Sequence, residues 1–304
     1  MVLWVLVLLS IIALNYFSSN RWNSAGTRNL KEETLAYYMA MSGYQEAVNY
    51  VLSDKNPSLD FTDSEGNFWT DTESEPVTGK RTTEDGEIEI KITDENAKIN
   101  INYADNASLR KLFLYAGMSE DTITGLIDSI MDWKDSGDMD ATQASGAESD
   151  YYEGLSDPYM AKNMLFDVPE ELLLIKGMQP EYFKNGDRQT SLLNLITTFG
   201  ANTVNINTVS KEVMQMLEFN ESEIEAIMKQ RTKEFGGFNN IPGDFSSKGL
   251  NATASQNIRI EVVAKAKNST LGMKIIAVLN RRPDVGGYKI QTLYWREDAE
   301  NIRG

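Results

Sequence analysis

The chain opens on a run that limits what can follow: Met1 to Leu14 are apolar apart from Ser10, and Asn15, Tyr16, Arg21 and Trp22 come next, where such a run would leave hydrocarbon. The run is short for a full span, which needs about 20 apolar residues. From Asn29 to Leu52, the residues Leu35, Tyr38, Met39, Met41, Tyr44, Val48 and Val51 recur at helical spacing, with Lys31, Glu32, Glu33 and Glu46 for the wet face. Gly26 and its polar surroundings could kink the helix. The simpler expectation is one rod of about 50 residues, ended by Asp54 to Pro57.

A rod with one apolar stripe needs a sheet or further helices to cover it. Leu59-Asp60-Phe61 and Phe68-Trp69-Thr70 flank Ser64-Glu65-Gly66-Asn67 as a hairpin. Glu87 to Thr93 alternates Ile88, Ile90 and Ile92 with Glu89 and Lys91, which predicts a strand with one buried face. The same pattern returns in Asn257 to Lys267, Leu271 to Asn280 and Tyr288 to Trp295, joined by Asn268-Ser269 and by Pro283 to Gly287, an antiparallel meander. One face of this sheet should pack on the rod, and the sheet is split in sequence.

Between its parts lies a largely helical block, with segments at Ala107 to Tyr115, Asp121 to Trp133, Pro169 to Ile175, Leu192 to Phe199, Ser210 to Glu218 and Glu221 to Lys233. A weak internal repeat marks it as an insertion: Lys98-Ile99-Asn100-Ile101-Asn102 opens one helix-turn-helix unit and Thr203-Val204-Asn205-Ile206-Asn207 opens another. Asn102 and Asn207 suit helix caps or Asx turns, and Asn220 with Glu223 has capping-box spacing.

The formal net charge of -16 repels phosphate backbones and attracts divalent cations and basic partner surfaces, so nucleic acid is not an expected partner. With no His and no Cys, the usual zinc ligands, thiol nucleophile and neutral-pH general base are missing. No carboxylate pair is singled out for glycosidase-like chemistry, and no enzyme activity is expected. Helix-turn-helix pairs ending in Gly-rich turns, as in Lys233 to Gly243, are shared with DNA-gripping modules. Here Lys229, Arg231 and Lys233 are matched by Glu221, Glu223, Glu225 and Glu234.

The richest local chemistry lies in Asp132-Trp133-Lys134-Asp135-Ser136-Gly137-Asp138-Met139-Asp140 and Gly146-Ala147-Glu148-Ser149-Asp150-Tyr151-Tyr152. Hard oxygen donors in a segment that can wrap, with no nitrogen or sulfur, match calcium better than zinc, although the spacing is not an EF-hand. Solvated acidic turns have the same composition.

In order along the chain, these stretches resemble the K-type pseudopilins of type II secretion (the general secretion pathway). The resemblance rests on Val2 to Leu6, Ala36 to Val48 with Ser42-Gly43, Lys98 to Asn102, Leu109 to Phe113, the acidic stretch, Phe166-Asp167-Val168-Pro169-Glu170-Glu171-Leu172-Leu173-Leu174-Ile175-Lys176-Gly177-Met178, and Val204 to Thr208. It implies an α+β pseudopilin fold: a long N-terminal helix on an antiparallel sheet, interrupted by a large all-α insertion. The implied division is residues 1–22 for the membrane-spanning part of the helix, 23–103 for the first part of the pseudopilin domain, 104–255 for the insertion and 256–304 for the closing strands. It also implies calcium in the insertion, with Asp135, Asp138, Asp140, Glu148 and Asp150 as ligands and Asp132 ranked below them because Trp133 could turn it away. The implied role is a minor pseudopilin at the pseudopilus tip. Its implied setting is the inner membrane, single-pass, with a periplasmic head, and its partners are other minor pseudopilins, with the secreted substrate or the outer-membrane secretin as further candidates. A pilus or DNA-uptake machine is the alternative. The family's leader and cleavage-site Gly are not seen ahead of Met1, so the start is expected to lie inside the membrane segment.

Overall fold

A computed structural model describes residues 2–56, 60–137, 145–183, 191–267, 269, 271–285 and 287–301. Leu59, Asn268, Asp138 and Asp140 lie outside the described residues, as do the side chains of Arg21 and Trp22. The rod is continuous through Gly26 as α1 (Val2–Ser53), about 78 Å long at helical rise. Its buried stripe is made of small residues, Ala36, Ala40 and Ala47, with Met39, Tyr50 and Val51 filling the flanks. Gly43 completes that stripe: a Cβ there would lie 2.8 Å from Val262 Cγ1 and 3.0 Å from Ile88 Cγ2, so helix and sheet meet at a distance that glycine allows.

After α1 come the hairpin strands β1 (Phe61–Thr62) and β2 (Phe68–Trp69), with Phe61 opposite Trp69. Then follow β3 (Gly79–Thr82) and β4 (Gly86–Asp94). The insertion contributes β5 (Ile99–Asn100), α2 (Asn106–Tyr115), α3 (Glu120–Lys134), α4 (Ser149–Glu153), a 3-10 turn over Pro169–Leu174, α5 (Pro180–Phe183), α6 (Leu192–Leu195), β6 (Ile196–Thr197), α7 (Lys211–Met216), α8 (Glu221–Gln230) and α9 (Gly243–Ser246). The chain closes with β7 (Asn257–Ala266), β8 (Leu271–Asp284) and β9 (Gly287–Asn301).

The main sheet has the order β3-β4-β7-β8-β9, antiparallel throughout, so the strands before and after the insertion are direct neighbours. Asp94 at the end of β4 pairs with Ile258 at the start of β7, so the insertion leaves and returns at one end of the sheet. The C-terminal end of α1 meets that same end. Buried Arg281 of β8 donates to Val51 O (3.3 Å), Asp54 Oδ2 (2.5 Å), Ser255 O (2.7 Å) and the Asp60 carboxylate. Breaking such a buried pair from one side costs about 3–5 kcal/mol.

One apolar core lies between α1 and the sheet; a second fills the insertion. The insertion also reaches the sheet face opposite α1, where Phe199 rests on Tyr294 of β9 (ring centroids 6.2 Å). Among the described residues no helix is long and apolar enough to cross a membrane.

Two local expectations change. The helix expected over Leu192 to Phe199 stops at Leu195, because Ile196 and Thr197 pair in parallel with Ile99 and Asn100. Asn102 and Asn207 do not cap helices: Asp105 and Ser210 do, accepting from Ser108 N (2.8 Å) and Val213 N (3.2 Å). The capping box of Asn220 and Glu223 forms with both of its hydrogen bonds.

Candidate functional site

The internal repeat is a hydrogen-bond device used twice. Asn100 Oδ1 accepts Asn102 N (3.0 Å), and Asn205 Oδ1 accepts Asn207 N (2.9 Å), which turns each opener toward its first helix. That turn frees the next Asn as a buried cross-link. Asn102 Nδ2 donates to Phe166 O (2.9 Å) and Thr198 O (3.2 Å) while its Oδ1 accepts Phe166 N (2.8 Å). Asn207 Nδ2 donates to Phe238 O (2.9 Å) and Thr253 O (3.1 Å) while its Oδ1 accepts Phe238 N (2.6 Å). A cation closes each unit from the end of its second helix. Lys134 Nζ reaches Ile101 O (3.2 Å), and Arg231 Nε reaches Ile206 O (2.9 Å). Burial pushes the Lys134 ammonium down, and Arg231 down to about 9.

Between the closing cation and the cross-linked Phe, the second unit has residues 232–237, a turn through Gly236 and Gly237 at positive φ. The first unit has residues 135–165 at the same place, and this segment holds most of the acidic cluster. Asp132, in the last turn of α3, Asp135, which ends that helix, and Glu148, which precedes α4, each bring a carboxylate oxygen within 4.8 Å of the others. Asp132 and Glu148 are buried and Asp135 half-buried. Gly146 makes room for them: a Cβ there would sit 1.6 Å from Asp132 Oδ2.

Asp132, ranked low on sequence, is therefore the innermost of the three. Trp133 does not turn it out, because the segment after residue 145 folds over the helix end and buries both neighbours. Trp133 packs edge-on against Tyr152 (5.3 Å) and Tyr159 (6.3 Å), while Asp132 faces Gly146. Asp150 is not one of the three. It is exposed in the first turn of α4, where its Oδ1 accepts Tyr151 N (2.8 Å). Asp138 and Asp140 lie outside the described residues. In the sequence Asp132 and Asp135 stand three apart at a helix end, but nothing local shows that Glu148 returns to them.

All three donors are hard carboxylate oxygens, with no nitrogen or sulfur among them. By its chemistry this donor set is of the kind that calcium takes. Beside the pocket, Lys176 Nζ binds Gly146 O (3.0 Å) and covers the Tyr151 ring (4.8 Å). Burial pushes the Tyr152 phenol up to about 12, so it stays protonated as part of the aromatic wall.

At the start of α1, Val2, Leu3, Trp4, Val5, Leu8, Leu9, Ile11, Ile12 and Leu14 are exposed.

Residues 90–193 match the family described as type II secretion system (T2SS), protein K. A curated relative, Type II secretion system protein K of Pseudomonas aeruginosa, is 25% identical over 248 residues, covering 77% of this chain and 71% of that protein. Among solved structures, a chain of the GspK-GspI-GspJ complex from the enterotoxigenic Escherichia coli Type 2 Secretion System has the same fold. Its TM-score is 0.62 at 14% identity, over 90% of this chain and 99% of that one.

Proposed function

We propose, from the premise that this chain belongs to the type II secretion system protein K family of minor pseudopilins, that it sits at the tip of a pseudopilus and starts or caps the fibre. The observation that carries this proposal is the layout along α1. The exposed apolar run occupies one end of the rod, and the insertion joins the sheet at the other, at a helix length of about 78 Å. The apolar end gains about 25 cal/mol per Å² when buried, first in the inner membrane and then among the equivalent helices of neighbouring subunits. The head then lies in the periplasm. A subunit added beyond it would have to occupy the volume that the insertion fills, which favours a terminal place.

The partners are other minor pseudopilins, as in the complex that holds the structural relative, and the charge of -16 favours basic surfaces on them. The secreted substrate and the secretin are further partners for the exposed head. The role is assembly rather than catalysis.

Calcium, held by Asp132, Asp135 and Glu148, would supply the positive charge that lets three carboxylates share one pocket. Those residues join the end of α3 to the start of α4, and Gly146 keeps the Asp132 carboxylate in place. Gold labelling of the full chain on assembled pseudopili tests the placement. Label at one fibre end is expected; label spaced along the fibre would overturn the tip assignment.

A further inference from the structure

We propose that the loop ahead of Phe166, together with the 3-10 turn Pro169–Leu174, is a docking surface for a basic amphipathic helix of a partner protein. It is a second contact, separate from the helix bundling of α1. The loop belongs to the segment that the first unit carries and the second replaces with a short glycine turn.

The loop is fixed at each end. Ala161 N donates to Ser149 Oγ (3.1 Å) and Tyr159 Oη to Leu174 O (2.6 Å), while Phe166 N is held by Asn102. Ala161 and Phe166 are buried. Asn163 between them takes a positive φ of 54°, a turn conformation that asparagine adopts more readily than most L-residues. Around these anchors several apolar side chains are turned outward: Met160 and Met164 are 63% and 64% exposed, and Leu165, Leu173 and Leu174 are exposed as well. Folding gains nothing from that arrangement. Unbranched, polarisable Met side chains are well suited to receiving a partner's apolar face.

Charge selects the occupant. Glu153, Asp157 and Asp167 are exposed around the loop, and its cation, Lys162, is spent on Asp167 Oδ2 (2.8 Å) and Glu171 Oε2 (2.8 Å). Apolar side chains rimmed by acids complement a helix with one apolar and one basic face. A second copy of this chain, at -16, would bring like charge to the same place.

The test is fluorescence anisotropy of a labelled helical Leu/Lys peptide titrated with the full chain, held soluble in an uncharged amphipol. A Leu/Glu peptide of the same pattern and the empty amphipol serve as references. The Leu/Lys peptide should bind, and the Leu/Glu peptide should bind at least about tenfold more weakly. The double variant Met160→Gln/Met164→Gln, which removes the apolar contact without changing the charge, should weaken Leu/Lys binding by at least about tenfold, with unchanged near-ultraviolet dichroism showing that the fold is kept. Equal binding of both peptides, or an unaffected variant, would overturn the proposal. Binding of anionic vesicles in place of the peptide, or self-association abolished by the same variant, would assign the surface to lipid or to a second copy and would also overturn it.

Discussion

The two helix-turn-helix units of the insertion share a frame and differ in how each is fastened to the sheet. The frame is the pair of asparagines, the cross-linked Phe and the closing cation. The fastenings are two consecutive acids, Asp94 and Glu95, both fully buried. Glu95 serves the first unit through Thr197 and Lys98 (3.2 Å), and it also binds Arg259 of β7 (2.5 Å). Asp94 serves the second through neutral donors: Asn205 Nδ2 (2.9 Å), Thr208 Oγ1 (2.8 Å) and Ser255 Oγ (2.9 Å). One motif can thus be anchored by an ion pair or by neutral hydrogen bonds. The longer segment, with its acids and exposed methionines, lies in the unit with the ionic anchor.

The frame is where the largest effects are expected. Asn102→Ala strands three buried backbone partners and Asn207→Ala three part-buried ones, at about 1–3 kcal/mol apiece, so each should cost on the order of 4 kcal/mol. Urea unfolding of the two variants should give similar drops in midpoint. A silent Asn207→Ala would break the equivalence of the units.

The anchors should titrate in opposite senses. Burial pushes Glu95 up, but the charges of Lys98 and Arg259 and the hydrogen bonds from Arg259 and Thr197 outweigh it and hold the carboxyl down to about 2. Its contribution is complete above the ordinary value of 4.5 and is lost as pH falls toward 2, on the order of 3 kcal/mol. For Asp94, burial outweighs the hydrogen bonds from Thr208, Asn96, Asn205 and Ser255, and its carboxyl is raised. Stability linked to Asp94 is therefore present at low pH and lost as pH rises through its folded value. Unfolding free energy followed from pH 5 downward should lose its acid slope in Glu95→Gln; a slope that persists would place the acid-sensitive contact elsewhere.

A smaller effect separates the added segment from its counterpart. At a hundredfold over Kd, calcium should stabilise the chain by about 2.7 kcal/mol, with magnesium weaker. Thermal melts with calcium, with magnesium and after chelation measure it. Asp132→Asn/Glu148→Gln should abolish the calcium increment, and Gly146→Ala should reduce it, because its methyl displaces the Asp132 carboxylate. Calcium stabilisation that survives both changes would remove the cation from this pocket.

Much of this frame was legible because it is periodic. The alternation of Ile88, Ile90 and Ile92, the spacing of apolar residues in α1 and the Asn-Ile-Asn openers each repeat within a few residues. The buried polar contacts are not periodic: Asn102 reaches Thr198, and Asn205 reaches Asp94, across about a hundred residues that no local pattern connects. Asp94 and Glu95, just beyond the strand expected over Glu87 to Thr93, therefore carried no signal of their own. At the candidate site Asp135 and Glu148 were legible from composition, whereas Asp132 needed knowledge that the chain folds back over α3.

The smallest effect tests the turn between the helices of each unit. Gly117 and Glu218 hold equivalent places: Gly117 N donates to Leu114 O and Met118 N to Phe113 O, while Glu218 N donates to Gln215 O and Phe219 N to Met214 O. Both have positive φ, 86° at Gly117 and 64° at Glu218. The second unit therefore carries a side chain where the first has none, and Lys111 (2.5 Å) pairs with that side chain across the two units. No atom lies within 4 Å of a Cβ built on Gly117, so Gly117→Ala isolates the backbone cost and should lose about 1 kcal/mol. Glu218→Gly should relieve the same strain and raise the urea midpoint, less what Gly adds to unfolded-chain entropy and what the Lys111 pair contributes. A fall in midpoint would mean that the surface ion pair between the units outweighs the backbone strain it spans.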